Sequence, residues 1–194
     1  MPRRPRYCTD HFYHFYNRGA HGHSLFREPD NYLFILRKIK HYASQFDLTI
    51  IAYCLLPNHY HLLVRQDGQD PAGLLPQRVF NSYSKAYNKR YDHSGTLFQG
   101  AYRVSPVTQE SHLLHLCRYI HANPVIHGVV PEVTGWPYSN YLEWIGERPG
   151  TLVDLAFVRH YFPTATQYRQ FVHEYIVDHQ LPPALERDLE RLEQ

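Results

Sequence analysis

The sequence predicts an α+β fold, a ferredoxin-like α/β sandwich with a central antiparallel sheet and a C-terminal helical extension. Three observations support this prediction. Strand-like and helix-like segments follow the order β-α-β-β-α-β-α, the turn Leu56-Pro57-Asn58 joins two neighbouring strands, and apolar residues recur at helical spacing between strands. We expect the helices to pack on one face of the sheet. The 194 residues are enough for one domain with an appendage.

The first half of the chain supplies three strands and one helix. Residues 11–17 are rich in aromatic side chains and favour a strand, and residues 48–54 are β-branched and apolar. Residues 59–65 predict a third strand, antiparallel to the second. Between the first two strands, residues 30–45 repeat apolar side chains at helical spacing, and Asp30 is a candidate N-cap of that helix.

The second half is mostly helical. Residues 73–91 predict a second helix, residues 102–107 a short strand, and residues 109–122 a third helix. We expect Asn123-Pro124 to end or bend the third helix, because a residue before proline is pushed away from helical geometry. Residues 154–194 predict two or three more helices, amphipathic at first and charged toward the end.

Charge is distributed unevenly along the chain. Residues 1–103 hold 14 Lys/Arg and 7 Asp/Glu, a net charge of +7, whereas residues 149–194 hold 4 and 7, a net charge of −3. A basic N-terminal half with an acidic tail indicates a polyanionic partner, although solvated surface charge explains the same counts. The 17 tyrosines and 15 histidines suit stacking on unpaired bases, and equally an ordinary core.

The composition argues against a membrane or secreted protein. No apolar run is long enough to span a bilayer, and no apolar stretch of a signal peptide follows the basic N-terminus. Cys8, Cys54 and Cys117 are few and widely spaced, so we expect buried, reduced thiols rather than a disulfide framework. The expected compartment is the cytoplasm.

A His-x-His pair is the first candidate site. His59 and His61 lie two residues apart on a predicted strand, so both imidazoles point to the same face and can converge on one ion. Tyr60 points to the opposite face and can pack in the core. Imidazole suits several transition metals and tolerates Mg²⁺ when phosphate oxygens and water complete the shell. The alternative is two solvent-facing histidines that bind nothing.

A tyrosine on the third helix is the second candidate. Tyr119 and Asn123 are four residues apart and therefore share a helix face. The apolar stripe of this helix leaves Tyr119 to one side. Asn123 offers a neutral amide oxygen, a hard ligand suited to Mg²⁺ or Mn²⁺. The alternative is a partly buried tyrosine and an asparagine that stops a helix before proline.

Four motifs in the same order resemble a known family. They are Leu56-Pro-Asn-His-Tyr-His-Leu-Leu63, Gly95-Thr-Leu-Phe-Gln-Gly-Ala-Tyr-Arg103, Tyr119-Ile-His-Ala-Asn-Pro-Val125 and Trp136-Pro-Tyr-Ser-Asn-Tyr141. Together they resemble the Y1 transposases of the HUH superfamily, in particular the REP-associated tyrosine transposases related to the IS200/IS605 enzymes. The resemblance covers roughly residues 11–145. It implies a catalytic domain over residues 1–148, with a helical C-terminal extension over residues 149–194 outside the resemblance.

The resemblance implies a metal-dependent reaction on single-stranded DNA. In the family the His-x-His pair binds a divalent ion, here Mg²⁺ or Mn²⁺ at His59 and His61. The family's third ligand falls on Asn123, where some relatives have glutamine. The nucleophile falls on Tyr119, which attacks phosphorus to form a 5′-phosphotyrosine link and release a 3′-hydroxyl. The resemblance also implies a DNA hairpin with an adjacent single-stranded tetranucleotide as partner.

Basic residues are candidates for contacts with the DNA backbone, each with a solvated surface charge as the alternative. They are Arg18, Arg65, Lys85, Lys89, Arg90 and Arg103. Insertion-sequence relatives form dimers, whereas the REP-associated branch is expected to act as a monomer. We therefore favour a monomer, with a homodimer as the alternative.

Three other interpretations stay open at this point. The chain could be a hairpin-binding module without catalysis, although every catalytic residue type is present. A zinc site could use Cys117 and His121, four residues apart on the third helix, although a buried cysteine is commoner. Tyr83, Tyr87 and Tyr91 also compete for the nucleophile role, although their helical spacing suits packing or base stacking.

Overall fold

A four-stranded antiparallel sheet forms the centre of the molecule. The computed structural model describes residues 5–183, 185 and 186. The strands are β1 (His11–Arg18), β2 (Leu48–Leu55), β3 (His59–Gln66) and β4 (Arg103–Val107). They lie in the order β2-β3-β1-β4, with antiparallel neighbours throughout. This order and the βαββαβ connection confirm the predicted ferredoxin-like sandwich.

Two helices cover one face of the sheet. α1 (Pro29–Gln45) connects β1 to β2, and α2 (Leu74–Tyr91) connects β3 to β4. Side chains alternate between the two faces of a strand. Tyr60 of β3 therefore joins Ile39 of α1 and Val79 of α2 in one apolar cluster. The prediction that Tyr60 packs in the core is confirmed, since its side chain is fully buried.

The other face of the sheet is covered as well. Its helices are α3 (Glu110–Ile126), α4 (Tyr141–Trp144), α5 (Leu155–Tyr161) and α6 (Ala165–Asp178). A second apolar cluster joins Cys54 of β2, Ile120 of α3 and Val172 of α6. The expectation of helices on one face was therefore wrong, because β2 is apolar on both faces, with Leu55 in the first cluster and Cys54 in the second, and both faces need cover. Among the described residues, no helix has both the length and the apolar surface to cross a bilayer.

Two helix ends lie away from their predicted positions, at residue 126 rather than 122 in α3 and at residue 29 rather than 30 in α1. α3 does not end at Asn123 but continues through Pro124 to Ile126, because the backbone N–H of His127 still donates to the carbonyl of Asn123 at 2.9 Å. α1 begins at Pro29 rather than after a capping Asp30, and its N-cap residue makes no side-chain capping bond. Proline suits the first helical position, because the N–H that it lacks has no partner there.

Candidate active site

A pocket of about 220 Å³ opens on the sheet face that α3 covers. The end of β1, the start of β3 and the helix α3 form its walls. Two arginines, Arg18 and Arg103, lie at its edge, and the described residues that line it include no aspartate or glutamate. The pocket is therefore suited to an anionic ligand, because nothing lining it repels negative charge.

The His-x-His pair occupies one wall of this pocket. His59 and His61 project from the same face of β3, with ring centroids 5.3 Å apart and rings nearly perpendicular at 88°. Tyr60 between them stacks on Phe80 across the opposite face, at a centroid distance of 3.8 Å. The alternative of two solvent-facing histidines fails for His61, which is only 4% exposed.

α3 brings its two candidate residues to the same place. The Oδ1 atom of Asn123 lies 3.4 Å from Nε2 of His59, although 64 residues separate them in sequence. The amide nitrogen of Asn123 donates to the carbonyl of Tyr119 at 2.7 Å, which turns Oδ1 toward the histidine. The ring of Tyr119 meets His61 edge to face, with centroids 5.4 Å apart. The four predicted residues are thus neighbours in space.

Tyr119 is more enclosed than its position beside the apolar stripe suggested. Its side chain is 4% exposed and its ring lies 6.2 Å from that of Tyr175 in α6. It nevertheless lines the pocket together with His61. Burial restricts the orientations of the phenol, which favours a fixed approach to a bound group.

The donor atoms around the pocket fit a divalent cation. Oδ1 of Asn58 lies 2.8 Å from Nδ1 of His59. Nε2 faces the amide oxygen of Asn123 at the longer distance of 3.4 Å. A neutral imidazole carries one ring proton, and the shorter contact favours it on Nδ1, which leaves the lone pair on Nε2. Nε2 of His61 is buried and has no hydrogen-bond partner among the described residues. Unprotonated ring nitrogens and an amide oxygen are ligands suited to a metal ion.

Burial keeps both imidazoles in the neutral form that binds metal ions. Removal from water, with a smaller contribution from the neighbouring His127, lowers the pKa of His59 to about 4. Burial also lowers the pKa of His61 well below its ordinary value. Coordination needs a deprotonated ring nitrogen, so at neutral pH neither ring must first lose a proton.

The zinc alternative at Cys117 and His121 has no free nitrogen to offer. Nδ1 of His121 accepts from the hydroxyl of Tyr168 at 2.5 Å, and Nε2 donates to Oδ1 of Asn140 at 2.9 Å. Burial raises the pKa of the Cys117 thiol, which disfavours the thiolate that binds zinc. Within the described part of the chain, no three His, Cys, Asp or Glu side chains form a metal-binding group.

Two of the six candidate DNA contacts reach the pocket and a third lies elsewhere. Arg18 and Arg103 line the pocket. Arg65 lies at the other end of β3, where its guanidinium contacts Asp67 at 2.5 Å and Asp154 at 3.0 Å. The two carboxylates hold Arg65 away from the pocket and offset its charge.

The remaining three candidates lie on α2, beyond the opposite face of the sheet. Lys85 and Lys89 are exposed there. Arg90 pairs with Glu28 at 2.9 Å and with Asp30 at 3.3 Å. These residues are not part of the pocket, and a contact with DNA would require the nucleic acid to reach a second surface.

The competing tyrosines also face away from the pocket. Tyr83 and Tyr87 are buried in the cluster between α1, α2 and the sheet, and Tyr91 packs against that cluster. The hydroxyl of Tyr83 donates to the carbonyl of Leu25 at 2.5 Å. Tyr16 of β1 is a closer competitor that the sequence did not indicate, because it lines the same pocket as Tyr119.

Two further histidines that the sequence did not indicate lie beside the pair. His14 of β1 lies 3.0 Å from His61, measured from Nε2 to Nδ1. His127, just after α3, packs its ring against His59 with centroids 4.9 Å apart. Alternation along β1 places His14 and Tyr16 on one face, but their register against β3 follows only from the folded sheet.

Three known proteins or families are similar to this chain. The family model described as "Transposase IS200 like" matches residues 8–123. A protein of Haemophilus influenzae that is named as a REP-associated tyrosine transposase is 30% identical over 113 residues, which cover 53% of this chain and 64% of that relative. The match thus spans just under two thirds of the relative.

A solved structure shares the fold. It is a REP-associated tyrosine transposase bound to a REP hairpin, with a TM-score of 0.65 and 18% sequence identity. The similarity covers 79% of this chain and 94% of that one. The overall fold of this chain is therefore one known from an experimental structure.

Proposed function

The chain belongs to the family of IS200-like transposases, and from this premise we propose that it cleaves single-stranded DNA and transfers strands through a 5′-phosphotyrosine at Tyr119. The observation that supports this proposal is that Tyr119, His59 and His61 line one pocket and Asn123 contacts His59 behind it. A phenol next to two neutral imidazoles and an amide oxygen is the residue set that metal-assisted attack on a phosphodiester needs.

The proposed metal ligands are His59, His61 and Asn123, and the metal is Mg²⁺ or Mn²⁺. When bound, the ion polarises the scissile phosphate and stabilises the negative charge that builds on it. All three protein ligands are neutral. Because they do not compensate the charge of the cation, negatively charged phosphate oxygens of the DNA are favourable ligands for the remaining coordination positions.

Tyr119 supplies the nucleophile. Its phenolic oxygen forms a bond to phosphorus while the bond from phosphorus to the 3′-oxygen breaks, and a 3′-hydroxyl is released. The phenol loses one proton and the departing oxygen gains one. An ordinary tyrosine has a pKa of about 10, so the phenol also needs an acceptor for that proton. Attack by the 3′-hydroxyl of another strand reverses the step and joins two strands without ATP.

The proposed partner is DNA with a hairpin beside a single-stranded segment. The named relative is a REP-associated transposase and the structural neighbour holds a REP hairpin, which supports the same class of ligand here. Arg18 and Arg103, which line the pocket, are the proposed contacts to the phosphates that flank the scissile bond. The net charge of +7 over residues 1–103 favours the approach of a polyanion.

A covalent adduct tests the proposal. Wild-type protein is incubated with Mn²⁺ and a pool of oligonucleotides in which randomised single strands flank a hairpin. We expect a protein–DNA adduct that maps by mass spectrometry to Tyr119 and is absent from Tyr119→Phe. Tyr16→Phe is the matched control, because it removes the other phenol that faces the pocket, and it should still form the adduct.

Two outcomes would overturn the proposal. Equal cleavage by wild type and Tyr119→Phe, or an adduct on Tyr16, would exclude Tyr119 as the nucleophile. Tight binding of hairpins by wild type with no adduct under any metal would favour the alternative function, a hairpin-binding protein without catalysis.

A further inference from the structure

His14 is a buried histidine that contacts a proposed metal ligand and has no role in the scheme above. It lies on β1, which pairs with β3 in the middle of the sheet, and it is 2% exposed. Its Nε2 atom is 3.0 Å from Nδ1 of His61, and the two ring planes are within 17° of parallel, with centroids 5.2 Å apart. Two imidazoles in direct contact must share one proton to form a hydrogen bond.

We propose that His14 is a positioning residue, which accepts the Nδ1 proton of His61 and thereby keeps Nε2 of His61 free to bind the cation. The inference rests on the proposed metal site. It assigns to an imidazole the task that a carboxylate or a backbone carbonyl performs behind many metal-binding histidines.

The position of one proton decides whether His61 can bind a metal ion. If Nδ1 of His61 donates to His14, Nε2 of His61 presents a lone pair. If instead Nε2 of His14 donates, the proton of His61 sits on its own Nε2 and blocks coordination. Since Nε2 of His61 is buried without a partner among the described residues, the second arrangement leaves a buried N–H with no acceptor, which is costly.

The sheet holds the pair in this geometry. Tyr16 stands directly opposite His61 in the register of β1 and β3, and His14 is the next residue on the same face of β1. The ring of Tyr16 lies 5.2 Å from that of His14 and 6.3 Å from that of His61. The neighbouring ring of Tyr16 therefore limits rotation of the two imidazoles, so that Nδ1 of His61 keeps facing His14.

Nitrogen NMR of the metal-free protein tests the tautomer directly. The ¹⁵N chemical shifts of the His61 ring distinguish a protonated from an unprotonated nitrogen. We expect the proton on Nδ1 in wild type and in His14→Gln, because Oε1 of glutamine occupies roughly the place of Nε2 and also accepts. In His14→Leu, which offers no acceptor, we expect a mixture of tautomers.

A titration with Mn²⁺ measures the consequence. Paramagnetic broadening of the His59 ring signals reports an ion bound close to this ring. We expect His14→Leu to need about 10- to 100-fold more Mn²⁺ for half-broadening, the range found when such a supporting partner is removed, and His14→Gln to stay within about threefold of wild type. Phe15→Leu is the matched control, because it trims the neighbouring buried side chain on the opposite face of β1 and should bind like wild type.

The two proposals fail in different ways. A proton on Nε2 of His61 in wild type, or equal Mn²⁺ titrations of wild type and His14→Leu, would overturn the role of His14. Absence of Mn²⁺ binding to wild type, with or without single-stranded DNA, would instead overturn the proposed metal site. The wild-type tautomer can be measured even if His14→Leu does not fold.

Discussion

At the scale of single residues, the absence of acidic side chains from the described pocket wall bears on how the ion and the DNA depend on each other. His59, His61 and Asn123 contribute no negative charge, and the described residues of the pocket wall contribute none. A site without carboxylates binds Mg²⁺ or Mn²⁺ weakly on its own, since these ions favour anionic oxygen ligands. Under the proposed function, the phosphate of the substrate supplies that charge.

Arg103 allows a residue-scale test of DNA binding. The side chain lines the pocket, so Arg103→Ala should weaken the binding of single-stranded DNA. The slope of the logarithm of the binding constant against the logarithm of the salt concentration should become less steep by about 0.7, the value expected for the loss of one phosphate contact. Fluorescence anisotropy at several salt concentrations measures both quantities. Lys85→Ala removes an exposed charge on α2, across the sheet, and should leave both unchanged. Equal effects of the two substitutions would argue against the pocket as the binding surface.

At the scale of elements, α3 is the part of the fold that completes the site. It holds Tyr119 and Asn123 one turn apart and packs against both β2 and α6. His121, between these two residues in the sequence, connects α3 to its neighbours by hydrogen bonds. Its ring accepts from Tyr168 of α6 and donates to Asn140 just before α4. Asn140 in turn accepts from the backbone N–H of Tyr53 in β2 at 2.8 Å. The helix is thus fixed by buried hydrogen bonds as well as by apolar contacts.

These bonds predict sensitivity to acid. Burial lowers the pKa of His121 to about 4, whereas the unfolded chain has the ordinary value of about 6.5. As the pH falls below 6.5, His121 takes up a proton in the unfolded state but stays neutral in the folded state. Its contribution to the free energy of unfolding is therefore complete above pH 6.5 and declines toward pH 4. The expected loss from this group is roughly 2 kcal/mol at pH 5.

Urea unfolding of wild type and His121→Gln from pH 7 to pH 5 measures this contribution. Glutamine is neutral over the whole range, so the stability difference between the two proteins should shrink as the pH falls. A difference that stays constant across the range would contradict the assignment to His121, whatever other groups titrate.

At the scale of the whole molecule, two apolar clusters on opposite faces of one sheet share the strands between them. The cluster on the α3 face includes Trp144 of α4, which is fully buried and donates to the carbonyl of Ile51 in β2 at 3.0 Å. It also includes Val172 of α6, although α6 belongs to the segment predicted as a separate extension. The predicted boundary between a catalytic domain (residues 1–148) and an extension (residues 149–194) stays a prediction. It can be tested by asking whether the two parts unfold in one transition or in two.

Two valines of α6 provide a matched pair for that question. Val172 is 1% exposed and Val177 is 63% exposed. Val172→Ala should lower the free energy of unfolding by about 2 kcal/mol, from two lost methyl groups and the space they leave, while Val177→Ala should change it little. We expect one transition, monitored by circular dichroism and by tryptophan fluorescence, with its midpoint lowered in Val172→Ala. A separate early transition that spares the rest of the chain would show that the extension folds on its own.

Much of the fold was predictable because its signals are local. The two-residue alternation around His59 and His61 indicates which face each side chain takes, and the four-residue spacing of Tyr119 and Asn123 fixes their common helix face. The resemblance in four motifs added the roles of these residues. Helix ends were less predictable: the backbone bonds that carry α3 past Pro124 depend on what packs around the turn rather than on the proline alone.

The sequence by itself determined which residues share a face, because the periods of strands and helices are properties of the local backbone. Only the tertiary structure decided which faces meet. The register of β1 against β3 puts His14 behind His61, and the packing of α3 on the second face of the sheet puts Asn123 beside His59. Both depend on contacts between segments far apart in the chain. The free energy that stabilises such contacts comes from burying complementary surfaces, and no local sequence pattern specifies which surfaces pair.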